Sequence, residues 1–192
     1  FGIGPHKKVD DTPAGGGAGL VLRADVIEPA LEKSILSSGK ERPLVYMSPR
    51  GKRFDQTLAK KWAAAPGVII LCGRFEGIDE RILERYDIDE ISLGDFVMTG
   101  GEIAAQAMID ATVRLLPNVL GNPDSPLDES HSNGLLEYPQ YTKPAEWKGQ
   151  KIPETLLSGH HENIAKWRMD QAKTKTKKHR PDLWKAWNKT KN

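Results

Sequence analysis

The sequence contains one cysteine, Cys72, so an internal disulfide is excluded. This sparing use of cysteine in 192 residues fits a reducing compartment, and we expect a cytoplasmic protein. No apolar run approaches the roughly 20 residues that a membrane span needs, so no membrane partner is expected. A secretory signal, the Gly-x-Gly-x-x-Gly dinucleotide fingerprint and the Lys-Ser/Thr ending of a P-loop are also missing. These absences disfavour membrane-spanning, nicotinamide-dependent and P-loop proteins.

The charge is unevenly distributed along the chain, although the formal net charge is only +2. Residues 1–134 hold 15 basic and 20 acidic side chains, whereas residues 135–192 hold 13 basic and 6 acidic ones. A basic region beside an acidic body favours a polyanionic partner such as a nucleic acid. A solvated charged surface explains the same pattern, and charge alone does not choose between the two.

Apolar runs alternate with segments of helical spacing through the first two thirds of the chain. Such alternation predicts an α/β fold with a parallel sheet. Because the pattern is already under way at Phe1, we expect a truncated amino end. The predicted strands cover residues 20–22, 43–47, 68–72 and 88–93, and the predicted helices cover residues 24–36, 56–64, 78–86 and 102–116. A turn at residues 48–51 is expected to end the second strand.

Two predicted strands run into glycine-containing loops of similar build, Gly73-Arg-Phe-Glu-Gly77 and Leu93 to Gly101. Glycine lets a backbone approach a ligand closely, and such loops can read an adenine edge through main-chain N–H and C=O groups. Since the carboxyl ends of parallel strands share one sheet edge, both loops are predicted to form one small-molecule site. Two ordinary strand-to-helix turns remain the alternative.

Residues 121–134 are polar, contain two prolines and show no periodicity, which predicts a linker or mobile loop. A helix is predicted beyond it, over residues 160–173. Three tryptophans interleaved with basic residues, Trp167, Trp184 and Trp187, either stack on nucleobases or form a small helical core. The core is the favoured reading.

Metal and thiol chemistry find little support in the sequence. His160 and His161 are adjacent and do not share a helix face, and no third ligand follows at zinc spacing, so no metal site is assigned. Cys72 lies in an apolar strand and is better explained as a small buried residue than as a nucleophile.

The order of the motifs resembles that of the bacterial tRNA (guanine-N1)-methyltransferases, the TrmD family. The similarity covers nearly the whole chain, and its motifs are Asp10-Asp-Thr-Pro13, Gly15-Gly-Gly-Ala-Gly19, Tyr46-Met-Ser-Pro49, Cys72-Gly-Arg-Phe-Glu-Gly-Ile-Asp-Glu-Arg81, Ile91-Ser-Leu-Gly-Asp-Phe-Val-Met-Thr-Gly-Gly-Glu102, Gly134-Leu-Leu-Glu-Tyr-Pro-Gln-Tyr-Thr-Lys-Pro144 and Leu157-Ser-Gly-His-His161.

This resemblance implies a SPOUT-type parallel α/β domain with flanking helices and a trefoil knot, followed by a small, mostly α-helical domain. The expected divisions are residues 1–120 for cofactor binding, 121–134 for the linker and 135–192 for a basic tRNA-binding domain. The resemblance also implies a homodimer with an interfacial active site, and a possible requirement for Mg²⁺. The implied reaction moves the methyl group of S-adenosylmethionine to N1 of the tRNA guanosine (position 37) immediately 3′ of the anticodon.

By position in the motifs, the resemblance assigns cofactor binding to three segments: Tyr46, Ser48 and Pro49; Gly73, Phe75, Glu76 and Gly77; and Leu93, Gly94, Asp95, Phe96, Val97, Met98, Gly100 and Gly101. Arg114 falls at the catalytic arginine of the family. Glu129 falls where the family has an aspartate as base, and Asp128 takes that role if the loop shifts by one residue.

Three other functions compete with the leading one. A related knotted enzyme acts on a ribose 2′-oxygen or at another RNA position, and a non-catalytic RNA-binding protein keeps the fold and its pocket. A nucleotide-dependent oxidoreductase is disfavoured because the dinucleotide fingerprint is missing.

Overall fold

The computed structural model describes residues 1–38, 41–122 and 129–190. The chain divides into two compact units, Phe1–Gly121 and Asn122–Asn192. Within the described ranges, no helix combines the length and the apolar content that crossing a membrane requires.

The first unit alternates short strands with helices, as the apolar periodicity predicts. Its elements are, in order, β1 (Asp10–Asp11), β2 (Val21–Leu22), α1 (Ala24–Ser38), β3 (Leu44–Arg53), α2 (Gln56–Ala64), β4 (Ile69–Cys72), α3 (Glu80–Tyr86), β5 (Asp89–Ser92) and α4 (Glu102–Val113). Capping side chains begin two of the helices: Asp55 accepts a hydrogen bond from the Leu58 amide, and Asp79 accepts one from the Arg81 amide.

The main sheet has three parallel strands in the order β4-β3-β5. Because neighbouring parallel strands need crossover connections, helices lie on both of its faces. One core packs Tyr46 of β3 with Ile27, Leu31, Ile78, Ile82, Leu83 and Ile88, and the other packs Val45 and Met47 with Trp62, Ile91, Ala104, Ala105 and Met108. The prediction of a parallel sheet between helices is confirmed.

The prediction that a turn at residues 48–51 ends the second strand is wrong. β3 pairs with β5 up to Met47, bulges over four residues, and pairs again from Lys52 opposite the same residue, Ile91. At Gly51 an added Cβ would collide with the backbone of Glu90, so the bulge lies directly against β5. The turn signal is correct locally, but pairing with β5 continues the strand beyond it.

The second unit contains a small hairpin and three helices among its described residues. Its elements are β6 (Glu146–Trp147), β7 (Gln150–Lys151), α5 (Glu154–Leu157), α6 (His161–His179) and α7 (Pro181–Lys189). Helix α6 continues six residues past the predicted end at Lys173. Thr176 in this stretch is buried and accepts from the Leu136 amide, so packing in the second unit supports the longer helix.

Candidate active site

A cavity of about 240 Å³ lies where β3, β4 and β5 end and their loops begin. Fourteen of the fifteen predicted cofactor residues line it: Tyr46, Ser48, Pro49, Gly73, Phe75, Glu76, Gly77, Leu93, Gly94, Phe96, Val97, Met98, Gly100 and Gly101. Asp95 is exposed and is not part of the lining. Three separate segments of sequence therefore meet around one space.

The two glycine loops are joined directly to each other across this cavity. The Gly101 amide donates to the Gly73 carbonyl at 3.0 Å. The Arg74 guanidinium donates from Nε to Oε1 of Glu102 at 2.9 Å. Glu102 is the first residue of α4, where its own backbone N–H holds the pKa of its carboxyl below the usual value, with Arg74 adding to this. The loops thus form one hydrogen-bonded unit.

Glycine is required where these loops approach the sheet. A Cβ at Gly73 would lie 2.7 Å from the Tyr46 hydroxyl, and a Cβ at Gly101 would lie 2.8 Å from the Met47 Cβ. Both distances are shorter than a side chain tolerates, so the main chain itself forms the wall of the cavity at these points. Such a wall offers peptide N–H and C=O groups at close range.

Two buried side chains of the sheet shape the floor of the cavity. Tyr46 is 6% exposed, and burial raises the pKa of its phenol; Arg50 opposes this shift, whereas the carboxylates of Glu90 and Glu80 add to it. Ser92 donates from Oγ to the Gly94 carbonyl at 2.9 Å and accepts from the Gly94 amide at 3.1 Å, which fixes the start of the second loop. Neutral polar groups therefore predominate on the floor.

The outer rim of the cavity is apolar and exposed. Phe75 is 61% exposed and has a φ of 57°, an uncommon backbone conformation for a bulky residue. Phe96 and Val97 are 53% and 84% exposed. Exposed apolar side chains grouped at a cavity mark a surface that a ligand or a partner covers.

The first glycine loop is also supported from the amino-terminal side. Leu22 donates to the Gly77 carbonyl at 2.9 Å, and the Glu76 amide donates to the Leu20 carbonyl at 3.0 Å. At Gly19, where φ is +85°, an added Cβ would collide with the Glu76 side chain. The glycine-rich segment before β2 therefore supports the loop at residues 73–77.

The predicted catalytic residues fall in different parts of the molecule. Arg114 ends α4 in the first unit, where its amide donates to the Asp110 carbonyl. Glu129 belongs to the second unit. Asp128, the alternative base, lies outside the described residues.

The loop that follows Glu129 is fixed to the rest of the second unit by hydrogen bonds. The Ser132 amide donates to the Glu129 carbonyl at 3.2 Å, and the Glu137 amide donates to Ser130 Oγ at 2.9 Å. The Leu136 amide donates at 2.8 Å to the hydroxyl of Thr176, a fully buried residue of α6. The segment from 129 to 137, named here the base loop, thus has a defined conformation over α6.

Comparison with known proteins identifies the family. The family model described as tRNA (Guanine-1)-methyltransferase TrmD matches residues 1–186. The chain belongs to this family. A protein of Ruegeria sp. (strain TM1040), named tRNA (guanine-N(1)-)-methyltransferase, is 62% identical over 97% of this chain and 77% of its own length.

Other relatives carry the same name. A protein of Ruegeria pomeroyi is 60% identical, over the whole of this chain and 79% of its own length. One of Gluconobacter oxydans is 55% identical, over 97% of this chain and 79% of its own length. The resemblance read from the motifs is therefore confirmed, and membership of the TrmD family now rests on nearly the full sequence.

Several residues that shape the candidate sites were not predicted from the sequence. Arg74 and Glu102, which join the loops, carry no local signal beyond the position of Glu102 at a helix start. Ser92 lies two residues before Gly94, and a serine hydroxyl at such a position commonly hydrogen-bonds the backbone of the turn that follows. Arg168 and Tyr138, described below, become neighbours only through the fold of the second unit.

The remaining sequence candidates have ordinary surroundings. Trp184 and Trp187 stack on each other with ring centroids 5.5 Å apart, and Trp167 meets Tyr141 edge-on at 6.2 Å. Cys72 is half-buried, and burial raises the pKa of its thiol, so it is a poor nucleophile. In the described ranges no three His, Cys, Asp or Glu side chains gather where they could hold a metal ion.

Proposed function

We propose that this chain is a tRNA (guanine-N1)-methyltransferase that uses S-adenosylmethionine and modifies the guanosine immediately 3′ of the anticodon. The observation that carries this proposal is the single cavity formed by the paired glycine loops in a chain of the TrmD family. The methyltransferase names of its relatives support it.

The cavity fits the adenosyl donor. Its wall is main chain at Gly73 and Gly101, where an added Cβ would collide with Tyr46 and Met47 of the sheet. Backbone amides and carbonyls recognise an adenine edge without a charged group, and the apolar rim at Phe75 and Phe96 suits the ribose and base faces. When bound, S-adenosylmethionine supplies an electrophilic methyl group.

Glu129 is the proposed general base. Guanine N1 carries a proton at neutral pH and must lose it as the methyl group arrives. A carboxylate with an ordinary pKa of about 4.3 is a weak base for this step. Burial upon RNA binding raises such a pKa and brings it closer to the working pH.

Arg114 is the proposed electrostatic partner. Removal of the N1 proton places negative charge on guanine O6, and a fixed guanidinium stabilises charge that develops there. The target base leaves its stack to reach the two groups, as bases do in other enzymes that modify them.

The second unit is proposed to hold the tRNA. The basic excess lies in residues 135–192, and α6 ends in Lys177, Lys178 and His179. Phosphate contacts from such residues release counterions, so binding weakens steeply as salt concentration rises.

We further propose a homodimer, with each active site completed at the subunit interface, and a trefoil knot in the first unit. Support for the dimer comes from the exposed apolar side chains of α4, Ile103, Ile109 and Val113, which are 68%, 46% and 40% exposed. The family resemblance supports the knot. A tRNA substrate supports a cytoplasmic location, and no step is assigned to Mg²⁺.

The test is incubation of the chain with S-adenosylmethionine and unmodified tRNA, followed by mass spectrometry of the nucleosides. The expected product is 1-methylguanosine, located 3′ of the anticodon. A tRNA with adenosine at that position is the control and should gain no methyl group. Recovery of a ribose-methylated nucleoside would replace the proposal with the related 2′-O activity, and binding without transfer would indicate an RNA-binding protein.

A further inference from the structure

The second unit contains its own cavity, of about 230 Å³, between the base loop and α6. Glu129, Leu136, Glu137 and Tyr138 line it from the loop side. Residues at positions 165, 168, 169 and 172 line it from the helix side, since this spacing places them on one helix face. The cavity therefore adjoins the proposed general base.

Arg168 is an unusual residue for such a cavity. Its Nε is buried and has no hydrogen-bond partner among the described residues. Its guanidinium carbon lies 4.8 Å from the ring centroid of Tyr138, so the aromatic face holds the guanidinium plane in place. A buried donor without a partner is costly, and a ligand that accepts from it would remove this cost.

Glu137 also lines the cavity, and no ion pair joins its carboxylate to Arg168 in the described part of the chain. The Glu137 carboxylate accepts instead from the side-chain amide of Gln140. A ligand that carries both an acceptor edge and a donor edge would use both kinds of group. An anionic ligand such as phosphate is disfavoured because two carboxylates share the space.

Guanine has this combination of edges. Its O6 and N7 are acceptors that arginine recognises, and its N1–H and N2–H are donors that a carboxylate accepts. We propose that this cavity binds the target guanine and that Arg168 is a specificity-determining residue, donating from Nε to N7. This inference rests on the proposed function, because it takes the guanine next to Glu129 as the base to be methylated.

Replacing N7 by carbon tests the contact, since 7-deazaguanine keeps O6, the N1 proton and the N2 amine. Two anticodon stem–loop RNAs, with guanine or 7-deazaguanine 3′ of the anticodon, are titrated without methyl donor into the wild-type chain and Arg168→Gln. In wild type we expect the N7 deletion to weaken binding at least about fivefold. Arg168→Gln should bind the guanine RNA equally weakly and show no further loss on N7 deletion, because both changes remove one interaction.

Lys166→Gln is the matched control. It removes the same charge from the same helix, but Lys166 is exposed and does not line the cavity. It should weaken binding of both RNAs by the same factor, as the loss of a phosphate contact does. Thermal melting of each variant checks that the second unit is folded.

Two results would overturn the inference. One is an N7 deletion that leaves wild-type affinity unchanged, which needs no variant to interpret. The other is a folded Arg168→Gln that keeps the full N7 penalty. The proposed function is judged separately on the same samples after donor is added. Transfer to N1 without N7 dependence rejects only the role of Arg168, whereas N7 dependence without transfer rejects only the enzymatic proposal.

Discussion

Thr176→Val removes a hydroxyl that links the base loop to α6. Thr176 is completely buried; its Oγ1 accepts from the Leu136 amide at 2.8 Å and donates to the Ala172 carbonyl at 2.7 Å. Valine preserves the β-branched shape but leaves the Leu136 N–H without its acceptor. A buried amide that loses its partner costs about 1–3 kcal/mol. Because the bond is only partly shielded, we expect about 1–2 kcal/mol.

The loss should be measurable both as stability and as activity. For a domain of the size of the second unit, each kcal/mol lowers the melting temperature by roughly 4–8 °C. Calorimetry or urea unfolding gives the free energy, and single-turnover methyl transfer gives the rate. We expect the transfer rate to fall because Glu129 is held less firmly, while donor affinity stays unchanged because the cavity proposed to bind the donor lies in the first unit.

Thr174→Val is the matched control. Thr174 lies on the same helix and donates to the Asp170 carbonyl at 2.8 Å, but it is exposed and accepts nothing from the base loop. Its free energy of unfolding should change by less than about 0.5 kcal/mol. Thr176→Ser, which keeps the hydroxyl, should retain most of the transfer rate. The reasoning is refuted if Thr176→Val matches Thr174→Val in both stability and rate.

Three further variants test the two glycine loops and the proposed catalytic pair. Gly101→Ala should lower donor affinity in calorimetric titration and stability by about 1–3 kcal/mol, since its Cβ would meet the sheet; Gly121→Ala, with open space around the added atom, is the control. Glu129→Gln should abolish methyl transfer yet keep donor binding, and a single-turnover rate within roughly twofold of wild type would exclude it as the base. Arg114→Ala should slow transfer at least about tenfold, and an unchanged rate would count against its action at O6.

The order of strands and helices in the first unit was predictable from the sequence. Burial of one face sets the spacing of apolar residues within each strand or helix, and this spacing can be read from the segment alone. Val45 and Ile70 lie in short apolar runs that are typical of buried strands, and Asp79 is a typical residue for a helix N-cap. The convergence of the glycine loops also followed, since parallel strands end at one sheet edge. These features need no knowledge of distant contacts.

The missed features depend on residues far apart in sequence. The bulge in β3 cannot be predicted from its own residues, because Ser48-Pro-Arg-Gly51 is a typical turn sequence. The strand continues beyond this turn only because it pairs with β5. Likewise, Arg168 lies thirty residues from Tyr138 in sequence, and nothing in either segment indicates that their side chains meet. Helix α7 had an available signal, a proline in its first turn at Pro181, that the periodicity argument did not use.

The hydrogen bond between Gly101 and Gly73, together with the Arg74–Glu102 ion pair, joins the two glycine loops that are proposed to bind the cofactor. A molecule bound between them at a hundredfold excess over its dissociation constant would stabilise the first unit by about 2.7 kcal/mol and so raise its melting temperature. Thermal-shift screening of adenosine-like compounds would therefore report binding in the cavity between the glycine loops without any RNA or radiolabel.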